Sequence, residues 1–238
     1  MTNLSADFQR SKIINVDLQV PLLASHALQR LAEMTHAKDI CVAGGFVRGL
    51  YMQQVLGLSP QMNDVDVFAD LSHEEFDLVE ERLKTEFGTP IRFHIGRFEK
   101  EENPRGLLEF VLPKFLREKC AGVESIQLNF GKDHPWANAF KYTTLANVGM
   151  NQIAIHLDGR VIASQLFVDD MTNKTMTMNP ERYWTAHDWH RTLKSLERMQ
   201  KERPEFRGWE IIRTQKPYVP DSGVFWEIKK SHFPESHI

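Results

Sequence analysis

The sequence predicts an α+β fold: a small mixed sheet flanked by helices, with a helical C-terminal extension. Three observations carry that expectation. Segments such as NDVDVFAD and VESIQLNF alternate polar and apolar residues with the two-residue period of a strand. Stretches between the strands show helical spacing and recognisable caps. From Pro180 a charged, periodic stretch then runs without another proline until Pro204.

The elements follow in order. PLLASHALQRLAEMTHA places Leu23, Leu28, Leu31 and Met34 at helical spacing, which predicts a helix packed on the core. DICVAG, residues 39–44, suits a buried strand, and Gly44-Gly45 then opens an amphipathic helix to about Leu56. From Asp64 to Phe68 the alternation puts Val65 and Val67 on the core side of a strand, so Asp64 and Asp66 share the other face. SHEEFDLVEERLKTEFG has Ser72 as N-cap, acids in its first turn and Gly88 just past its end, the signature of a helix. Strands are expected over 91–98, 107–112 and 124–130. MNQIAIHL and RVIAS flank Asp158-Gly159, which predicts a hairpin closed by a tight two-residue turn with positive φ. Asn179 as cap and Pro180 as first residue predict a long helix to about Glu202, stopped by Pro204. The chain thus divides into an N-terminal helical segment (1–37), a sheet-bearing domain (38–178), a helical extension (179–215) and a tail (216–238). The tail's Tyr218, Phe225 and Trp226 suit a partner or oligomer contact.

Composition narrows the class. The chain has 238 residues, 42% hydrophobic and 26% charged, values that exclude intrinsic disorder. No stretch reaches the ~18 apolar residues of a membrane helix, and MTNLSADFQRSK lacks the apolar core of a signal peptide, so a cytoplasmic protein with no membrane partner is expected. Cys41 and Cys120 are too few for a disulfide framework and read as reduced core residues. A net charge of -3 argues against a general electrostatic grip on nucleic acid. The one dense basic segment runs from Arg182 to Arg213 and includes Arg191, Lys194, Arg198, Lys201, Arg203 and Arg207.

Two features point to phosphate chemistry. A strand that ends in Gly44-Gly45 and leads into a helix leaves free N–H groups at a positive dipole end, with Arg48 one turn in, able to meet a phosphate bidentately. Asp64 and Asp66, side by side on one strand face, repel each other unless a cation joins them, and Mg²⁺ or Mn²⁺ suits such oxygen ligands.

GGFVRG, the nineteen-residue step from Gly45 to Asp64, and the DVD strand together resemble the signature of the polymerase-β superfamily of nucleotidyltransferases. The closer resemblance is to the head and neck of class II tRNA CCA-adding enzymes and bacterial poly(A) polymerases, and it spans roughly Asp39 to Met199. In those proteins the text is GG-x-V-R-D, and here Gly49 replaces the aspartate. HDWHR places Asp188 and Arg191 where the family's E-D-x-x-R reads the incoming base. The family's R-R-D-F-T-I-N falls on residues 145–151, where only Asn151 is kept. The third carboxylate usual on a neighbouring strand would fall at Gln127 or Asn129. The resemblance implies a polymerase-β-like head with a helical neck, and Mg²⁺ or Mn²⁺ on Asp64 and Asp66. It implies an NTP held by Gly44, Gly45, Arg48 and Asn151 with its base read by Asp188 and Arg191. The reaction implied is NMP transfer to a hydroxyl, as at the 3′ end of an RNA in tRNA processing, with release of pyrophosphate. RNA would lie on the basic face of the neck. The amides at Gln127 and Asn129 favour an alternative, a weakly catalytic nucleotide- or RNA-binding module on the same fold; a structural, partner-binding role is the third reading.

Overall fold

The computed structural model describes residues 12–37, 39–87, 92–96, 105–111, 123–134, 136–182 and 184–214. Among them eight strands form one mixed sheet: β1 (Ile13–Val16), β2 (Ile40–Ala43), β3 (Asp64–Asp70), β4 (Arg92–Gly96), β5 (Arg105–Val111), β6 (Ser125–Gly131), β7 (Ile153–His156) and β8 (Val161–Ser164). Their order is β1-β8-β7-β2-β3-β6-β5-β4, and only β3 and β6 run parallel. The expected α+β architecture is therefore present, with a wider sheet than the sequence suggests. Residues 13–16, assigned to a helical segment, instead pair with β8 as the edge strand, where Ile14 and Val16 pack against one core cluster and Ile13 against the other.

Helices cover both sheet faces. On one, Val65, Val67 and Ala69 of β3 are sealed beneath α1 (Leu22–Thr35), α2 (Gly45–Gln54) and α3 (His73–Phe87), through Leu28, Leu31, Val47, Phe76 and Leu83. The two-residue period sends Asp64, Asp66 and Phe68 to the other face, where α4 (Ala139–Leu145) lays Ala139 and Tyr142 against Cys41, Ala43 and Phe68. Cys41 is buried and donates its thiol to the Trp136 carbonyl at 3.1 Å; Cys120 and the tail aromatics lie outside the described residues.

Local rules explain most element ends. At α3 the Glu75 N–H donates to Ser72 Oγ (3.2 Å) and the Ser72 N–H to Glu75 Oε2 (2.8 Å), a reciprocal capping box. Gly88, its expected terminator, is outside the described residues. The β7–β8 hairpin differs from expectation: His156 N–H bonds the Arg160 carbonyl and only Gly159 has positive φ, so three residues close the loop. That is the geometry of a turn followed by a left-handed glycine.

The remaining elements are α5 (Gln165–Asn173), β9 (Thr175–Thr177), α6 (Ala186–Glu202) and β10 (Glu210–Ile212), which pairs parallel with β9. α6 starts at Ala186 rather than Pro180: Asn179 Oδ1 does accept the Glu181 N–H at 3.0 Å, but it caps only a short turn over 180–182, while its Nδ2 donates to the carbonyls of Thr144 and Ala146 at 2.9 and 3.0 Å. Thr185 is the cap, accepting the Asp188 N–H at 3.0 Å. Thr185→Ala is expected to cost about 1 kcal/mol, read as a melting temperature roughly 2–4 °C lower for a chain of this size; an unchanged melting temperature would show that packing alone holds the start of α6. Among the described residues no helix is long and apolar enough to cross a membrane.

Candidate active site

Strand β3 builds the centre of the site. Asp64 and Asp66 stand half-buried on one face, and β2 delivers Gly44 beside them. Gly44 has φ +82° and ψ -145°, a conformation open in practice to glycine alone, and a Cβ there would lie 2.8 Å from Asp66 Oδ2. The turn thus lacks a side chain for two reasons at once, backbone angle and the carboxylate lying over it. Burial pushes the Asp66 carboxyl up to about 7, with the neighbouring Asp64 adding to the effect and Arg48 opposing it. Asp64 is raised as well, by burial first and then by Glu109.

Glu109 is the residue the sequence reading missed. It sits on β5, 8% exposed, opposite Gln127 of β6, which in turn lies opposite Asp66 of β3. Gln127 Nε2 donates to both Asp64 Oδ2 (3.0 Å) and Glu109 Oε1 (3.3 Å), while Ser125 Oγ donates to the same Glu109 oxygen at 2.9 Å. The β6 position where the resemblance places an acid therefore holds an amide that bridges two acids, Asp64 and, one strand farther out, Glu109. Asn129 lies on the same face of β6 opposite Phe68, one step farther along the sheet. No signal short of the strand order could have singled out Glu109.

Arg48 folds back over the mouth of α2, its Nη2 3.6 Å from where a Gly45 Cβ would be. It is 5% exposed, donates to Asn151 Oδ1 through Nη1, and lies over the Phe206 ring at 5.2 Å. Burial and the nearby Arg203 lower its pKa to about 10, which leaves it charged at neutral pH. Arg48 and Asn151, both expected to touch nucleotide, thus touch each other. Asn151 belongs to a 3-10 turn, Gly149–Asn151, docked on α5: a Cβ on Gly149 would lie 2.5 Å from Asp170 Oδ2, and that carboxylate also accepts from Thr175 and Thr177.

Asp188 and Arg191 of α6 line a cleft of about 520 Å³, within the usual range for small-molecule sites, and Asn151 and Trp136 lie on the same lining. Two further residues, Asn147 and Arg182, enter it without any local sequence signal. Arg182 Nη2 is 3.9 Å from Asp188 Oδ2, its Nη1 donates to the Leu145 carbonyl at 3.1 Å, and its guanidinium lies over Trp184. Farther along α6 the basic face is exposed at Lys194, Arg198 and Lys201, though Arg213 pairs with Glu197 and Arg203 with Glu205.

This arrangement has the chemistry of a divalent-cation and phosphate site. Two adjacent carboxylates, one held near 7 by burial and its neighbour, gain from a hard cation, and oxygen donors suit Mg²⁺ or Mn²⁺. Among the described residues no group of three or more His, Cys, Asp or Glu side chains forms a metal cage.

No protein-family model and no curated protein matches the sequence. Among solved structures, the chain is similar to a tRNA-processing enzyme complex, with 15% identity, a TM-score of 0.45, and coverage of 78% of this chain and 43% of that one. It is also similar to the Bacillus stearothermophilus CCA-adding enzyme in complex with CTP, with 14% identity, a TM-score of 0.47, and coverage of 82% and 41%. The chain spans less than half the length of either, and the likeness is one of backbone path alone.

Proposed function

We propose that this protein is a cytoplasmic nucleotidyltransferase of the polymerase-β type, which moves an NMP from an NTP to the 3′ hydroxyl of an RNA. The observation that carries the reading is the Asp64–Asp66 pair lying against the side-chain-free Gly44 turn, with a buried arginine at the mouth of the next helix. Asp64 and Asp66 would hold Mg²⁺ or Mn²⁺. A cation bound there supplies the charge that neutralises phosphate oxygens and orients the reacting groups. The N–H groups at Gly44 and Gly45 and the Arg48 charge favour an anion at the start of α2. Asn151 fixes the direction of Arg48. Asp188 and Arg191 face the base in the cleft, and the exposed Lys194 and Arg198 hold the RNA backbone. The acceptor oxygen bonds to the α-phosphorus, the bond to the bridging oxygen breaks, pyrophosphate leaves, and the hydroxyl proton passes to the carboxylate cluster of Asp64, Asp66 and Glu109.

Incubation with each α-labelled NTP, Mg²⁺ or Mn²⁺ and total RNA tests this. Labelled RNA is the expected product, and Asp64→Asn with Asp66→Asn should abolish it. Label persisting undiminished in that double variant would overturn the metal assignment. NTP binding without any transfer would favour a non-catalytic module, the reading that Gln127 in the acid's place supports.

A further inference from the structure

Glu109 stands on the same sheet face as the two aspartates but not beside them. The register sets Glu109 opposite Gln127 and Gln127 opposite Asp66. Neighbouring strands lie about 4.8 Å apart, so two steps, about 10 Å, separate the backbones of Glu109 and Asp66. Among the described residues no three-acid group is arranged to hold a metal ion. Glu109 meets Asp64 through an amide instead: Gln127 Nε2 donates to Asp64 Oδ2 at 3.0 Å and to Glu109 Oε1 at 3.3 Å.

A carboxamide has a donor end and an acceptor end of similar size, and its neighbours decide which way it turns. Two ionised carboxylates only accept, so together they hold the N–H end of Gln127 between them. Glu109 is the firmer of the two supports. It is 8% exposed, and its Oε1 also accepts from Ser125 Oγ at 2.9 Å, on a residue that is itself 5% exposed. Asp64 and Gln127 are only half-buried. Held by Asp64 alone, the amide would follow that carboxylate wherever a cation drew it, whereas Glu109 ties it to β5. A hydrogen bond of this kind sets the direction of a metal-binding carboxylate and tunes its affinity.

We propose that Glu109 is a positioning residue for the cation site: by anchoring the Gln127 amide it fixes Asp64 Oδ2, and so leaves the other Asp64 oxygen to a divalent cation shared with Asp66. The proposal rests on the metal assignment within the nucleotidyltransferase reading. The amide at Gln127 then does what an ionised acid in its place could not, since a carboxylate has no N–H to give.

The test is a Mn²⁺ titration of the full chain at pH 8, followed as free Mn²⁺ by electron paramagnetic resonance. The proteins are the parent, Glu109→Ala, Glu109→Gln, Gln127→Ala, the Glu109→Ala and Gln127→Ala double variant, and Asp66→Asn. Glu109→Ala and Gln127→Ala should each weaken Mn²⁺ binding about tenfold. The double variant should be no weaker than either single one, because Glu109 acts through the amide. A direct attraction between the Glu109 charge and the ion needs no amide, and would make the two losses multiply. Glu109→Gln keeps a carbonyl able to accept from Ser125 and Gln127, and should recover part of the loss. Unchanged affinity in Glu109→Ala, losses that multiply, or a Glu109→Gln protein as weak as Glu109→Ala would each overturn the proposal. If Glu109→Ala does not fold, Gln127→Ala decides from its half-buried position, and unchanged affinity there overturns the proposal as well. Asp66→Asn separates this outcome from the wider reading. A parent that binds Mn²⁺ and loses it in Asp66→Asn keeps the metal assignment whatever Glu109 does. An Asp66→Asn protein that binds like the parent, or a parent that binds no Mn²⁺, would overturn both.

Discussion

Asp66→Asn is expected to abolish nucleotide transfer and yet to raise the melting temperature of the metal-free protein at pH 8. The reason is the cost of ionising Asp66 where it stands. Burial and Asp64 push its carboxyl up to about 7, from the 3.8 of an ordinary aspartate. The folded state therefore binds a proton that the unfolded state has released, between about pH 4 and pH 7. The stability linked to that proton is fully present below pH 4 and is lost as pH rises through 7. At pH 8 the ionised group weakens the fold by an amount on the order of 4 kcal/mol at its upper bound. Asparagine carries no charge and removes that cost. Mg²⁺ changes the sign for the parent, because a cation that binds only the folded protein stabilises it. Calorimetry at pH 5 and pH 8, with and without Mg²⁺, should show a parent destabilised at pH 8 and rescued by the ion, against a variant that responds much less to both, its remaining response coming from Asp64. A variant less stable than the parent in metal-free buffer at pH 8, or one that Mg²⁺ stabilises as much as the parent, would contradict the account of the site.

The second large effect is expected at Gly49, where the resembling family has aspartate. A Cβ at this position would lie 2.5 Å from Met62 Cγ and 2.7 Å from Met62 Sδ. Met62 is itself buried, in the core cluster that includes Leu50 and Tyr51. A methionine can swing aside for a methyl group, so Gly49→Ala should cost no more than about 2 kcal/mol. Gly49→Asp adds a carboxylate to the same apolar contact, and the combined overpacking and desolvation should exceed about 3 kcal/mol in urea unfolding. Met62→Ala made together with Gly49→Asp should recover part of that loss, since neighbouring substitutions couple. A Gly49→Asp protein within 1 kcal/mol of the parent would mean that the loop bearing Met62 yields more readily than its burial implies. On the expected outcome, the departure from GG-x-V-R-D follows from packing: the loop before β3 runs where an aspartate would need room.

Other features of the site are likewise invisible to local sequence. Arg48 and Asn151, both expected at the nucleotide, are bonded to each other across 103 residues of sequence. Nothing near either residue encodes that pairing. It depends on Asp170 of α5, which accepts the Met150 N–H and lies close over Gly149, and on Phe206 returning beneath the guanidinium. The start of α6 was misplaced for a related reason. Asn179-Pro180 is a sound local start signal, and Asn179 does accept the Glu181 N–H, but the turn it opens is not continued and the helix begins at the next cap, Thr185.

What the sequence by itself determined are the features that follow from period and backbone sterics. Alternation along 64–70 sets Asp64 and Asp66 on the face opposite Val65 and Val67, because a one-residue shift would bury the acids. Ser72 and Glu75 mark the start of α3 because their bonds reach only three residues. Gly44 marks a turn that side chains cannot enter, because its φ is positive. The tertiary structure alone decided which distant groups surround that frame. Glu109 reaches Asp64 only through the β5–β6–β3 pairing and the Gln127 bridge, and Asn147 comes to line one cleft with Asp188 and Arg191 only where α6 packs on its segment through Thr192. Strand order and helix docking are settled by the burial of whole faces against one another, a sum over many distant residues that leaves no periodic mark on any one stretch of sequence.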